Sequence, residues 1–371
     1  MSNLNISFTS SKNNRLDVII FDYIKDTNCF LKTRSKVQNY IELYGVFVNS
    51  EYCNKPNSRI RLGDSIKINW SETKQELNQD LTKYIQVVRE DKNYMVINKP
   101  PGLVVHEGAG HQGDTLADWL EIHLPSQKTM KNILESDTTH PTPHLGGGMV
   151  HRLDKDTQGL MIIAKDIQTF KYLQDQFRTR SVKKKYLALL VGKLDFQVQL
   201  SGYQARTRKN VLKQYFTLEN PTDPVIAAQI AKQVPIKGDW RTSMSNFTPL
   251  LQNKAKTLTL TEIEIFTGRM HQIRTQAEFL GYPLYQDPLY KIPSGNDLQK
   301  LQENYPEHFA LNNCQVNVVE DHEFQELTKK IFQFEQRDSF FLMSNYIHFT
   351  DPDSKDVELI LYESVTQKVS S

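Results

Sequence analysis

Cysteine is scarce. The 371 residues contain three, Cys29, Cys53 and Cys314, far apart and without a CxxC pair. That excludes a disulfide framework and a cysteine-based zinc site, and fits a reducing compartment. Long apolar runs are missing as well. None approaches the roughly 18 residues of a membrane-spanning helix. The opening MSNLNISFTSSKNN has no apolar signal core, so a cytoplasmic protein without membrane contact is expected. Net charge is nearly absent at +2, which excludes a uniformly basic nucleic-acid coat. There is no internal repeat and no low-complexity tract. A hydrophobic fraction of 39% supports packed cores, and the length suggests two or three domains.

The charge is uneven. Residues 1–70 hold ten Lys and Arg against six Asp and Glu, whereas the remainder holds 35 against 37. In the basic part, Leu16, Ile19, Ile20 and Tyr23, and then Val37, Ile41 and Leu43, recur at helical spacing. Ser35 is a candidate N-cap and Gly45 a candidate stop. VFVN and SIKIN read as short strands, the second entered by a Leu62-Gly63-Asp64 turn. Two helices and a small sheet would carry Lys32, Arg34, Lys36, Arg59 and Arg61 on one face. A plain solvated face would look the same on charge alone. RLD, RSK, YGVFVN and LGDSI together resemble the S-four type RNA-binding domain over about 15–70. The resemblance implies that Arg34, Ser35 and Lys36 contact RNA.

Polar residues 71–84 read as a linker. Beyond it come strands in IQVVRED and YMVINKPPGLVVH, a helix at LADWLEIHL, a loop-like 125–148 and a strand at LMIIA. Asp166 can cap the next helix, whose inward face is Ile167, Phe170, Leu173 and Phe177. The basic run RTRSVKKK leads into the strand YLALLVG, and TLTLTEIEIF alternates as a half-exposed strand. GRMHQIRTQAEFLGYP is a loop entering a helix that stops at Gly281. Segment 295–340 is acidic and helical in tone. IHFTDP and VELILYE form a closing hairpin.

HRLDKDTQG, residues 151–159, crowds His151, Arg152, Asp154, Lys155 and Asp156 directly in front of the LMIIA strand. A carboxylate there can act as nucleophile, base or metal ligand, or pair with Arg152 on the same side of an extended chain. His140, His144 and His151 lie nearby, but HPTPH has no metal-ligand spacing, so no metal is expected.

HRLDKDTQGLMIIAKD resembles the signature of the RluA-type RNA pseudouridine synthases. VINKPPGLVVH, KKKYLALLVG and TGRMHQIRTQAEFLGYPLYQDPLY match further motifs of that family in its order, over about 85–290. The resemblance implies that Asp154 is catalytic, Tyr186 the active-site tyrosine and Arg274 the basic partner of Asp154. It implies an isomerase without cofactor. Arg152 and His151 would handle RNA, and so would Lys184 and Arg269. The runs 178–185 and 205–209 would hold its backbone. Lys99 and His106 would be structural or touch RNA, Gln272 would orient the Arg274 loop, and His271 would help orient it or, as a lone histidine more often is, be a packed residue. Gln158, Met270, Thr275, Gln276 and Gln286 depart from the family pattern and bear on substrate geometry.

The expected class is α+β. A small RNA-binding domain at 15–70 precedes a catalytic domain at 85–371 with a mixed, mainly antiparallel sheet flanked by helices, and 295–340 is a helical insertion. The partner is RNA, ribosomal of the large subunit or else transfer RNA, and the protein is a monomer. A non-catalytic RNA binder and a histidine-based metal hydrolase are the rival classes. The first has no need of Asp154, Tyr186 and Arg274 together, and the second would fail in chelator.

Overall fold

The computed structural model describes residues 3–25, 34, 37–38, 40–41, 45–71, 84–106, 115–124, 148–208, 210, 212–291, 295–332 and 340–362. The chain divides into two compact units, Met1–Leu81 with His106–Thr115, and Thr82–Val105 with Leu116–Ser371.

In the first unit, β1 (Asn3–Thr9) was not foreseen. Then come β2 (Asn14–Arg15), α1 (Leu16–Ile24), β3 (Val46–Val48), β4 (Glu51–Cys53), β5 (Arg59–Ile60) and β6 (Ser65–Ser71). One sheet runs β1-β6-β3-β4, and β2 pairs with β5. The helical spacing is real. Leu16, Ile19, Ile20, Val37 and Ile41 are buried together with Val46, Ile60, Ile66 and Ile68. Tyr23 instead faces outward and stacks on Phe8, with centroids 4.0 Å apart. Asp17 is fully buried beneath Arg15, Arg34 and Gln38, with Arg34 Nε donating at 2.9 Å. Arg34 thus braces this unit while 45% of its side chain stays exposed. Lys32, Ser35, Lys36 and Leu43 lie outside the described residues, as do 72–83 of the expected linker.

The second unit contains β7 (Gln86–Glu90), β8 (Tyr94–Lys99), α2 (Leu116–His123), β9 (Gln158–Ala164), α3 (Ile167–Thr179) and β10 (Lys183–Val191). Next come β11 (Phe196–Thr207), β12 (Gln214–Thr217), α4 (Pro224–Gln233), β13 (Ile236–Asn253), β14 (Leu258–Ile265) and α5 (Gln272–Leu280). The chain continues through α6 (Leu298–Asn304), β15 (Phe309–Asn313), β16 (Asn317–Val319), α7 (Asp321–Phe332), β17 (Leu342–Thr350) and β18 (Asp356–Ile360). The sheet runs β12-β11-β13-β14-β10-β17-β9-β8-β7, with β15 on β11, β16 on β13 and β18 on β17. Pairing is antiparallel except for β17 with β9 and β13 with β16. The class is α+β, with a large mixed sheet carrying helices.

β9 is buried at every position, as expected of an apolar strand with neighbours on both sides and both faces covered. Phe170 and Leu173 of α3 pack on Leu160 and Ile162, with Ile167 and Phe177 partly buried beside them. Asp166 caps α3 by accepting from Thr169 N at 2.8 Å. Gly281 ends α5 with φ 85°. The segment 295–340 is only partly helical. β15 and β16 interrupt it, because β11 and β13 offer them pairing partners distant in sequence.

Candidate active site

The loop 151–157 is held by β9 on one side and by a buried lysine on the other. Gly159 has φ +117°, and a Cβ there would sit 2.2 Å from the Ser344 carbonyl oxygen. Only glycine lets β9 begin its parallel register with β17 at Gln158↔Met343 and Gly159↔Ser344. Lys99 is fully buried, and its Nζ donates to the carbonyls of Pro100 (2.8 Å), Leu103 (2.8 Å) and Lys155 (2.9 Å). Of the two expected roles, the structural one describes it. It ties the residue next to Asp154 to the end of β8.

The charged positions of the loop then separate. His151 turns inward. Its Nε2 accepts from the Ile162 amide at 3.0 Å, and its ring stacks on Phe177 with centroids 4.7 Å apart. Burial, helped by the Lys184 charge, pushes its pKa down to about 3. The expectation that His151 handles RNA is therefore corrected: it is a neutral core histidine that fastens the loop to β9. Arg152 is exposed at the rim.

Asp154 opens onto a cavity of about 160 Å³ whose walls include Arg152, Lys184, Tyr186, His271 and Arg274. Its backbone carbonyl accepts from Thr157 N at 3.2 Å, closing the turn. Its carboxylate has no hydrogen-bond donor among the described residues, and its near neighbour is His271 Nε2, 3.9 Å from Oδ2. Tyr186 reaches the cavity from β10. Burial first, and the Asp154 charge second, raise its pKa well above the usual phenol range, so it stays a protonated donor.

Arg274 departs from expectation. Its fork is occupied by Asp287, at 2.6 Å from Nε and 2.8 Å from the second nitrogen. Asp287 also accepts the amides of Leu289 and Tyr290 at 2.8 and 3.0 Å. The guanidinium lies 4.2 Å from the Phe340 ring centre and 5.0 Å from that of Tyr290. Burial works against its charge, but the Asp287 bonds outweigh burial and its pKa rises. The role of direct partner to Asp154 is thus corrected. Arg274 reaches Asp154 through the field across the cavity, and its bidentate partner is Asp287.

The motif GRMHQIR supplies the far wall. Gln272 meets the expectation of orienting this loop. It accepts from Thr267 Oγ1 (2.8 Å) and Arg269 N (3.0 Å) and donates to Met244 O (2.9 Å) and Ser245 Oγ (2.8 Å). His271 has φ 57°, and its Nδ1 lies 3.2 Å from the Tyr290 hydroxyl. Burial lowers its pKa, so it is neutral at neutral pH. Arg269 also lines the cavity and donates to Thr242 O at 2.9 Å. Burial and the charges of Arg241 and Arg180 lower its pKa, marking a cluster of cations at this rim.

Sequence reading missed Asp287 and left His271 away from Asp154. QDPLY carried a signal for the first, since an aspartate ahead of a proline often accepts amides in a turn. Nothing local signalled the second. His140 and His144 lie outside the described residues.

The model of the RNA pseudouridylate synthase family matches residues 93–279. An uncharacterised RNA pseudouridine synthase of Helicobacter pylori is 33% identical over 262 residues, covering 70% of this chain and 72% of that protein. The ribosomal large subunit pseudouridine synthase D of Buchnera aphidicola is 29% identical over 286 residues, covering 77% and 78%. The solved structure of human RNA pseudouridylate synthase domain containing 4 is 21% identical, with TM-score 0.45, over 79% of this chain and 94% of that one. The match spans the loop before β9, β10 and the entry to α5, which together wall the cavity at Asp154. The chain belongs to the RluA-type RNA pseudouridine synthases, isomerases that convert uridine to pseudouridine.

Proposed function

We propose that this enzyme acts on uridines of large-subunit ribosomal RNA, in the cytoplasm and as a monomer, with Asp154 as its catalytic group and without a cofactor. The observation that carries the reading is the Asp154 carboxylate, which faces the cavity without a hydrogen-bond donor among the described residues while Tyr186, His271 and Arg274 surround it. A carboxylate free of donors keeps its lone pairs for chemistry. The bond from C1′ to N1 must break and one from C1′ to C5 must form. The ionised carboxylate attacks either the electron-poor sugar carbon or the ring. Tyr186 supplies a flat face and a protonated hydroxyl beside the detached base. Arg274, kept charged by Asp287, sets a fixed guanidinium in the cavity wall near the carboxylate.

A cavity of about 160 Å³ suits one base, so the uridine is extruded from its helix, at roughly a few kcal/mol. Arg152, Arg269, Arg180 and Arg241 stand ready for the phosphates around it. The ribosomal target is supported by the similarity to the ribosomal large subunit pseudouridine synthase D of Buchnera aphidicola. The first unit, with Arg34 and the neighbouring Lys36 and Ser35, acts as an S-four type RNA-docking domain. Pseudouridine mapping of large-subunit RNA tests the reading. In cells lacking the protein, at least one position stays uridine, and the wild-type gene restores it where Asp154→Asn does not. Loss confined to transfer RNA would overturn the ribosomal assignment, and restoration by Asp154→Asn would overturn the catalytic one.

A further inference from the structure

β10 carries three consecutive lysines, and its period of two separates their fates. Lys185 turns to one face, where Glu262 holds its Nζ at 3.0 Å and the Tyr346 ring lies 5.6 Å away. Lys183 is exposed. Lys184 shares a face with Tyr186, two residues on, and both line the cavity at Asp154. The regular register with β14, Lys184↔Ile265 and Tyr186↔Ile263, keeps them side by side. Lys184 is half-buried. No carboxylate lies within 4 Å of its ammonium among the described residues, and its contact is the Phe177 ring, centred 5.2 Å away. Across the cavity mouth the Gly268 backbone leaves it room, since even an added Cβ there would stay 3.7 Å from Nζ.

The other cations of the cavity are spoken for or wet. Arg274 is neutralised by Asp287, Arg269 donates to a carbonyl, and Arg152 is exposed. A desolvated cation without a counter-charge is unfavourable in the resting protein. It becomes favourable when a negative charge develops beside it.

The isomerisation generates such a charge. When C1′–N1 breaks, its electron pair passes to uracil and spreads over N1 and the two carbonyl oxygens. After the ring turns, an electron pair at C5 forms the bond to C1′, the C5 proton leaves, and N1 regains a proton. No oxidant or reductant is needed. We propose that Lys184 is a further catalytic residue, whose Nζ donates a hydrogen bond to a carbonyl oxygen of the detached uracil anion and holds it while it turns. The proton stays on the lysine throughout. Burial draws the Lys184 pKa down to about 8, which marks the site as poorly solvated and makes the ammonium a strong donor there. The phosphate-gripping role expected from the sequence is thereby replaced by contact with the base.

This inference rests on the proposed isomerisation, and one assay separates the two. Full-length protein is given total cellular RNA tritiated at uridine carbon five, and release of tritium to water is followed for wild type, Lys184→Met, Lys184→Arg and Lys184→Ala. If the wild type releases none, the parent reading fails. With an active wild type, Lys184→Met is expected to lose about 10²–10³ in kcat, the size seen when one oxyanion donor is removed. KM and the salt dependence of RNA binding should stay near wild type. Lys184→Arg should retain more activity than Lys184→Met, and methylammonium should partly restore Lys184→Ala where neutral additives do not. A rise in KM with unchanged kcat, and a salt slope smaller by about one, would identify a phosphate contact and overturn the proposal. So would full activity of Lys184→Met. Should Lys184→Met fail to fold, the rescue of Lys184→Ala and the retained activity of Lys184→Arg decide the question.

Discussion

The loop before β9 brings an aspartate to the cavity wall and the turn after α5 brings another against Arg274, and the two are treated in opposite ways. Asp287 is completely buried and receives four donors, two from Arg274 and two from backbone amides. Asp154 is partly open to the cavity, and no donor among the described residues reaches it. Asp17 of the first unit follows the Asp287 pattern under Arg15, Arg34 and Gln38, and its carboxyl is held below the usual range despite the cost of burial. A saturated carboxylate holds structure together. An unsaturated one beside a cavity is available for reaction.

Removing a saturated carboxylate should injure the fold before the chemistry. Asp287→Ala leaves the Arg274 charge buried and unpaired, and is expected to cost about 3–5 kcal/mol in denaturant unfolding. The charged loop offers a second contrast, between its inward histidine and its open aspartate. Below pH 6.5 the unfolded chain protonates His151 while the folded one does not, down to about pH 3. Protonation therefore favours unfolding. Stability should decline as pH falls through that window, by up to about 5 kcal/mol. His151→Gln should flatten that acid limb in unfolding curves taken at stepped pH. Lys99→Met unties the Lys155 carbonyl, next to Asp154, from the turn after β8 and should cost roughly 1–3 kcal/mol while lowering kcat with little change in KM. The smallest effect is expected at the rim. Arg152→Ala should leave the melting temperature alone and weaken RNA binding, with a salt slope smaller by about one.

Periodicity and caps made much of this legible. α1, α3 and α5 follow from their apolar spacing, the Asp166 cap and the Gly281 stop, because those signals act within a turn or two of chain. β11, β12 and β13 left little trace in 194–256, although β13 is 18 residues long. Their stability comes from neighbours distant in sequence, and alternation along β13 is broken where it runs out to solvent. The same limit applied at the site. The motifs placed Asp154, Tyr186 and Arg274 around one cavity, yet could not say which carboxylate fills the Arg274 fork. That choice depends on where the chain returns after α5. It also depends on two turn amides, which already anchor Asp287 beside the arginine.

The most direct measurement compares two substitutions of equal size, Asp154→Asn and Asp287→Asn, in tritium release from RNA labelled at uridine carbon five, with unfolding curves recorded on the same samples. The account predicts that Asp154→Asn folds as stably as the wild type and loses at least about 10⁴-fold in rate, while Asp287→Asn unfolds at lower denaturant. Tritium release from Asp154→Asn at the wild-type rate would contradict it.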